Sequence, residues 1–314
     1  MTDSPGLGRW AVALAMSACL LVACSDGSRE GDRPAPSPTS TAPPTEPRPT
    51  SAPESTEVVP TLPPVPAKES AARLAGQLDR ATVTLRARGA VAADVRRAAE
   101  FQQLAVRALT AAPPAFLRKV IDLLDRRTAR DTRADVRAAG LLRSMHSEPT
   151  QELPRWRIVR PPPAQELIGH YRRAQRRTGV HWSYLAAIHL VETRMGRIRG
   201  VSTAGAVGPM QFLPTTWDLY GAGGDIGDPG DAILAAGRLL VANGAPGDMA
   251  DALWHYNPSD AYVGAVLSYA RTMRRSPSAY HRYWHWRVLY THERGTHVLP
   301  IGYPERRPVL LPER

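Results

Sequence analysis

The sequence predicts a mainly α-helical protein: a helical extension, then a larger helical domain, then a short C-terminal hairpin. Three observations carry this. The stretch from Glu69 to His146 is rich in Ala, Leu and Arg and shows helical spacing, as in Leu74, Leu78, Val83 and Leu85, and again in Phe116, Val120, Leu123 and Leu124. Helical patterning resumes at Ala164 and runs to Met273, interrupted by glycine- and proline-rich loops. Trp286 to Tyr290 has β character, and Glu293-Arg294-Gly295-Thr296 reads as a turn, so a hairpin is expected there.

The front of the chain is organised differently. Arg9 is the only positive charge before an apolar run from Trp10 to Ala23, which is too short to span a bilayer comfortably and closes with small residues. Residues 1–24 therefore read as a secretory signal. Leu21-Val22-Ala23-Cys24 resembles a bacterial lipobox, in which Cys24 is lipidated and becomes the new N-terminus. An ordinary signal with an incidental cysteine is the alternative. Cys19 and Cys24 are the only cysteines, so the mature chain can form no internal disulfide and uses no cysteine in catalysis or metal binding. Residues 25–68 are Pro-, Ser- and Thr-rich with little apolar content to bury, which suits an extended tether. The expected location is the outer face of the cell membrane, facing the wall.

A formal charge of +11 favours polyanionic surroundings: nucleic acid, anionic lipid or acidic wall polymers. No helix-turn-helix, zinc-ligand spacing or aromatic RNA-binding motif is visible, so no nucleic-acid partner is expected. The arginines read as scattered over solvated helix faces, and their summed charge suits retention on anionic wall polymers.

Residues 69–150 form the expected extension of two to four helices, divided by Pro113-Pro114. Residues 154–163 are a proline-punctuated connector that Trp156, Ile158 and Val159 pin to the following domain. That domain is expected over 151–305, with a tail at 306–314. The Tyr, Trp and His residues after Ser276 either cap its core or form a rim for stacking sugars.

The chemistry concentrates between Tyr184 and Trp217. Ser183 can cap a helix running from Tyr184 to Met195, apolar almost all round apart from His189 and hence buried. Glu192 falls on the same stripe as Leu185 and Ile188. Burial, together with the negative end of the helix dipole near Gly196, raises the carboxyl's pKa. A carboxyl held protonated near neutrality is what a general acid needs. A structural ion pair with an arginine is the other reading. Gly200, Gly205 and Gly208 then let the backbone turn tightly near a ligand. Pro209 can open a helix whose first turn holds Met210 and Gln211, and Pro214 restarts a helix carrying Trp217.

Glu192-Thr193-Arg194-Met195-Gly196, followed by Ser202-Thr-Ala-Gly-Ala-Val-Gly208-Pro-Met210-Gln211-Phe-Leu-Pro-Thr-Thr-Trp217, resembles the lytic transglycosylase family of lysozyme-like folds. Ala252-Leu-Trp-His-Tyr256-Asn257 is similar to that family's Ala-x-x-x-Tyr-Asn motif. The likeness covers roughly Trp156 to Met273. It departs at Thr193, where many members carry serine, and at Pro258. The resemblance implies a lysozyme-like domain that cleaves the glycosidic bond between N-acetylmuramic acid and N-acetylglucosamine of peptidoglycan without consuming water. It implies Glu192 as sole acid/base, Ser202 contacting the glutamate region, and Gly208 in the substrate loop. Met210 and Gln211 would floor the sugar site, Tyr256 would hydrogen-bond near Glu192, and Asn257 would line the cleft. No cofactor is implied.

Asp225, Asp228 and Asp231 lack the spacing of a calcium loop; Asp228 before Pro229 signals a helix start instead, and no metal is expected. Asn257 to Asp260 likewise opens a helix through Tyr262, Val266 and Tyr269. His189 and His255 read as packed residues. Two rivals remain: a hydrolytic muramidase using the same glutamate, and a non-catalytic peptidoglycan-binding lipoprotein.

Overall fold

The computed structural model describes residues 70–145 and 148–311. The expected signal segment, Cys24 and the tether lie outside the described residues. Within them the protein is mainly helical, and no helix there is long and apolar enough to cross a membrane.

Four helices form the extension: α1 (Ala71–Arg86), α2 (Ala92–Ala111), α3 (Pro114–Leu123) and α4 (Arg126–Ser144). The break falls at the proline pair because Pro114 takes the first turn of α3, where a missing N–H costs nothing. Asp125 starts α4, its carboxylate accepting from the N–H groups of Arg127 and Thr128. Leu74, Leu78, Leu109, Val120 and Ile121 close a small core among these helices.

The main body contains α5 (Ala164–Thr178), α6 (Trp182–Thr193), α7 (Pro214–Tyr220), α8 (Pro229–Ala242), α9 (Met249–Tyr256), α10 (Asp260–Arg275) and α11 (Pro277–Trp284). Helix α6 is central. Leu185, Ala186, Ala187, Ile188 and Leu190 are all fully buried, as its nearly uniform apolarity requires. Helices α5 and α10 pack on it, and α8 packs on α5.

The extension is not separate from this body. Helix α4 lies along α10, and Ala138 is buried in the main core with Leu141, Leu142 and Met145 packed against it. The boundary expected at residue 150 therefore cuts through a shared core. Side chains of α2 also reach the C-terminal region. Gln102 donates to the Thr82 hydroxyl at 2.7 Å and accepts from Arg282 Nη1 at 3.1 Å. Gln103 clamps the backbone of Arg287, donating to its carbonyl and accepting from its N–H, both at 2.8 Å. Beneath them Arg282 forms a 2.8 Å ion pair with Asp135, which also accepts from the Tyr283 hydroxyl.

The connector is pinned as expected: β1 (Arg157–Ile158) pairs antiparallel with β2 (Ile198–Arg199), and Trp156 and Ile158 are buried. The hairpin is present as β3 (Val288–His292) and β4 (Gly295–Leu299), antiparallel with Val288 opposite Leu299. A third strand, β5 (Val309–Leu310), pairs with β4 inside what reads in sequence as a tail. It is held because Leu311 is buried with Leu104 and Val298, and its N–H donates to the Thr296 carbonyl at 2.8 Å. Tyr280, Tyr283, Trp286, Tyr290 and Tyr303 are buried, so these aromatics cap the core and do not present their faces to solvent.

Candidate functional site

Glu192 is the next-to-last residue of α6 and only 8% exposed. Its Oε1 accepts a 2.6 Å hydrogen bond from the Tyr262 hydroxyl, on the first turn of α10. Tyr262 stands where it does because Ser259 caps α10, its hydroxyl accepting from the Tyr262 N–H. The Tyr256 ring lies parallel to Tyr262, with centroids 6.4 Å apart.

The helix that delivers Glu192 differs at both ends from the sequence expectation. It starts at Trp182, and the cap is the His181 ring, which accepts from the Ser183 N–H at 3.3 Å; Ser183 itself is buried. It ends at Thr193 because Arg194, Met195 and Gly196 all take left-handed backbone conformations, with φ of 53°, 60° and 81°. For the two non-glycine residues this costs roughly 1 kcal/mol or more each. Burial of Met195, whose sulfur receives a 3.4 Å contact from the Tyr171 hydroxyl, holds them there. The strain sits directly behind the glutamate. The side chains of Arg194 and Arg197 donate to the carbonyl oxygens of Leu190 and Trp284.

The loop after it is a tight turn. Val207 and Phe212 exchange backbone hydrogen bonds of 2.8 and 2.9 Å around Gly208-Pro209-Met210-Gln211. No helix opens at Pro209, contrary to expectation, because Gln211 adopts φ 51° and turns the chain back. Gly208 has φ 78°, and a Cβ there would stand 2.1 Å from the Ile226 carbonyl oxygen, so only glycine fits. The turn is fastened to the helix by Thr193, whose hydroxyl donates to the Pro209 carbonyl at 2.6 Å and accepts from the Gly196 N–H at 3.1 Å. The hydroxyl at position 193 thus ties the glutamate helix to the Gly208–Gln211 turn.

Tyr256 donates to the Met210 carbonyl at 2.6 Å and lies parallel to Tyr262, which donates to Glu192. Ser202 is buried and its hydroxyl accepts from the Ala206 N–H at 2.9 Å, so it shapes its own loop. Met210 contributes its backbone, its side chain being fully buried beneath the turn. Gln211 folds back, its amide donating to the Gly208 carbonyl at 3.0 Å. Asn257 is buried at the junction of α9 and α10. Phe212 meets both Tyr256 and Trp217 edge-on, joining the turn to α7 and α9. Tyr262 escaped sequence reasoning because its spacing marks only a helix face; the packing of α10 on α6 brings it to the carboxylate.

His189 lies one turn before Glu192, fully buried, with Nδ1 2.7 Å from the Tyr171 hydroxyl. Burial first, then the positive charges of Arg199 and His170, push it down to about 3. Its folded value lies below the unfolded one, so the unfolded chain takes up the proton first, and stability is lost as pH falls from about 6.5 toward 3. One pH-unit shift equals about 1.4 kcal/mol, so wild type should lose roughly 3 kcal/mol more than His189→Gln between pH 7 and pH 4. Urea midpoints measured at pH 7 and pH 4 check this; parallel losses in both proteins would refute it.

Asp228 caps α8 by accepting from the Asp231 N–H at 2.9 Å, as its spacing suggests. Among the described residues no group of His, Cys, Asp and Glu side chains is arranged to hold a metal ion. One polar cleft lies away from Glu192, lined by Thr82, Arg86, Gln102, Asp131, Ser276 and Arg282 between the extension and α11. It shares no residue with the Glu192 cluster, and its polar groups are largely bonded to one another. No family model matches the chain, and no curated protein or solved structure matches it either.

Proposed function

We propose that this protein is a peptidoglycan lytic transglycosylase with a lysozyme-like catalytic domain. The observation that supports this best is Glu192: a carboxyl buried at the end of an apolar helix, anchored by Tyr262 and tied through Thr193 to the Gly208–Gln211 turn. Burial penalises the ionised form of a carboxyl, which suits a group that must give up a proton.

In this reading Glu192 gives its proton to the oxygen joining N-acetylmuramic acid to N-acetylglucosamine, and the C1–O bond breaks. The muramoyl N-acetyl oxygen assists at C1. The carboxylate of Glu192 then takes the proton of the same sugar's 6-hydroxyl, whose oxygen bonds to C1 and closes a 1,6-anhydro ring. Atoms balance without water, and one carboxylate serves both steps, unlike the usual pair. The enzyme works outside the cytoplasm, anchored by lipid on Cys24 and held off the membrane by the 25–68 tether. Mass spectrometry of digested peptidoglycan tests this: anhydro-muropeptides are expected. Reducing-end products would make it a muramidase, and binding without products a wall-binding lipoprotein.

Tyr262 is a positioning residue in this mechanism. Its hydrogen bond fixes Glu192 and favours the carboxylate form. Tyr262→Phe should lower kcat about 10- to 100-fold with KM little changed, and shift the Glu192-dependent limb of the pH profile upward. An unchanged profile would show the hydroxyl to be structural only.

A further inference from the structure

The arginines are not evenly scattered. Helix α5 carries Arg172, Arg173, Arg176 and Arg177, all exposed, at the i, i+1, i+4 and i+5 spacing that puts them on one face. Arg172, Arg176 and Arg177 form no ion pair among the described residues, and Arg173 reaches only the neighbouring His170. Two of the arginines sit in the last turn, where they offset the helix dipole. Arg172 and Arg173 lie a turn earlier and are not explained that way.

The nearby acids do not neutralise the stripe. Glu166 is at the opposite end of α5, beside His170. Helix α8 runs alongside with Gly230 against His170 and Gly237 against Thr178, so Asp228 and Asp231 also lie at that far end, committed to backbone N–H groups. Asp248, two residues after the Pro246 that lies against Gly179, is committed to capping α9.

We propose that the exposed face of α5 is a docking ridge for a hydrated linear polyanion, a chain of repeating phosphate groups. Guanidinium forks suit such groups, which they bind in pairs of parallel hydrogen bonds. A membrane surface fits less well. Helices that lie on bilayers pair basic residues with exposed Trp, Phe or Leu, whereas on α5 Leu167 and Tyr171 are fully buried and Ile168 is packed against the core, none of them exposed. The ridge lies on a different helix from Glu192, so it can hold the protein on an anionic matrix while leaving the catalytic loop free. This surface stands whether or not the lyase reading does.

The test is binding of the purified protein to synthetic poly(glycerol phosphate), read without any turnover. Counterion release on four phosphate contacts predicts roughly a 50-fold loss of affinity between 50 and 200 mM salt. Replacing all four ridge arginines (R172Q, R173Q, R176Q, R177Q) should weaken binding at least about tenfold and flatten the salt slope by about 3. A control protein with the same net charge carries R118Q, R126Q, R127Q and R143Q on the exposed faces of α3 and α4, and should bind as wild type does. Equal weakening in both variants would overturn the ridge in favour of net charge. Binding to phosphatidylglycerol vesicles in preference to the polymer would overturn the choice of partner, and polymer binding unaffected by the ridge substitutions would overturn the site.

Discussion

Glu192→Gln is expected to cut the release of anhydro-muropeptides by about 10³-fold while leaving thermal stability close to that of wild type. The magnitude follows from the role: loss of a positioned proton donor and acceptor costs 10²–10⁴ in rate, and here one group performs both transfers. Gln keeps the shape and can still accept from Tyr262, so the 2.6 Å anchor survives in this variant. Product release measured alongside the unfolding midpoint separates chemistry from folding. Substantial activity in a folded Glu192→Gln protein would move the acid elsewhere and remove the reading altogether.

Asp135→Ala should be the most destabilising of the single changes considered. Asp135 is 0% exposed, pairs with Arg282 at 2.8 Å and accepts from Tyr283. Removing it strands a buried guanidinium, which costs about 3–5 kcal/mol, a drop on the order of 10 °C in Tm for a domain of this size. The double replacement Asp135→Leu with Arg282→Met should recover much of that loss, because no uncompensated charge remains. Failure of the pair to recover would show that packing at the junction, not charge, sets its stability. Asp135 also bends the pH dependence. Burial, partly offset by Arg282, holds its carboxyl up at about 6. Its folded value lies above the unfolded one, so its contribution to stability is largest at low pH and shrinks as pH rises through 6, opposite in sign to that of His189.

The helices and their breaks were legible in sequence because each rests on a local rule. Pro114 and Pro214 open helices, Asp228 and Ser259 cap them, and the apolar residues of α6 bury it. The hairpin after Trp286 was legible for the same reason. What escaped depends on partners distant in sequence. Strand β5 exists because Leu311 finds Leu104 and Val298. Arg194 and Met195 end α6 early in a conformation their side chains disfavour, which tertiary packing alone sustains. Glu192 could be singled out because a carboxylate on an apolar stripe is anomalous within its own helix. Tyr262 carries no such local mark, and it reaches Glu192 across 70 residues of chain.

The paired glutamines of α2 have a consequence for the order of assembly. Gln102 and Gln103 find their partners 180 and 184 residues further along the chain. The entropy of closing so long a loop rises only as the logarithm of its length, so the finished fold tolerates it. The kinetics do not forgive it as easily, because such distant pairings form after local ones. Helices α1 to α4 can associate early, yet α2 keeps an open edge of amides until Arg282 and Arg287 arrive. A chain emerging N-terminus first can therefore bury Leu74, Leu78 and Leu109 early, while Gln102 and Gln103 wait for their last partners until the segment carrying Arg282 and Arg287 has been made.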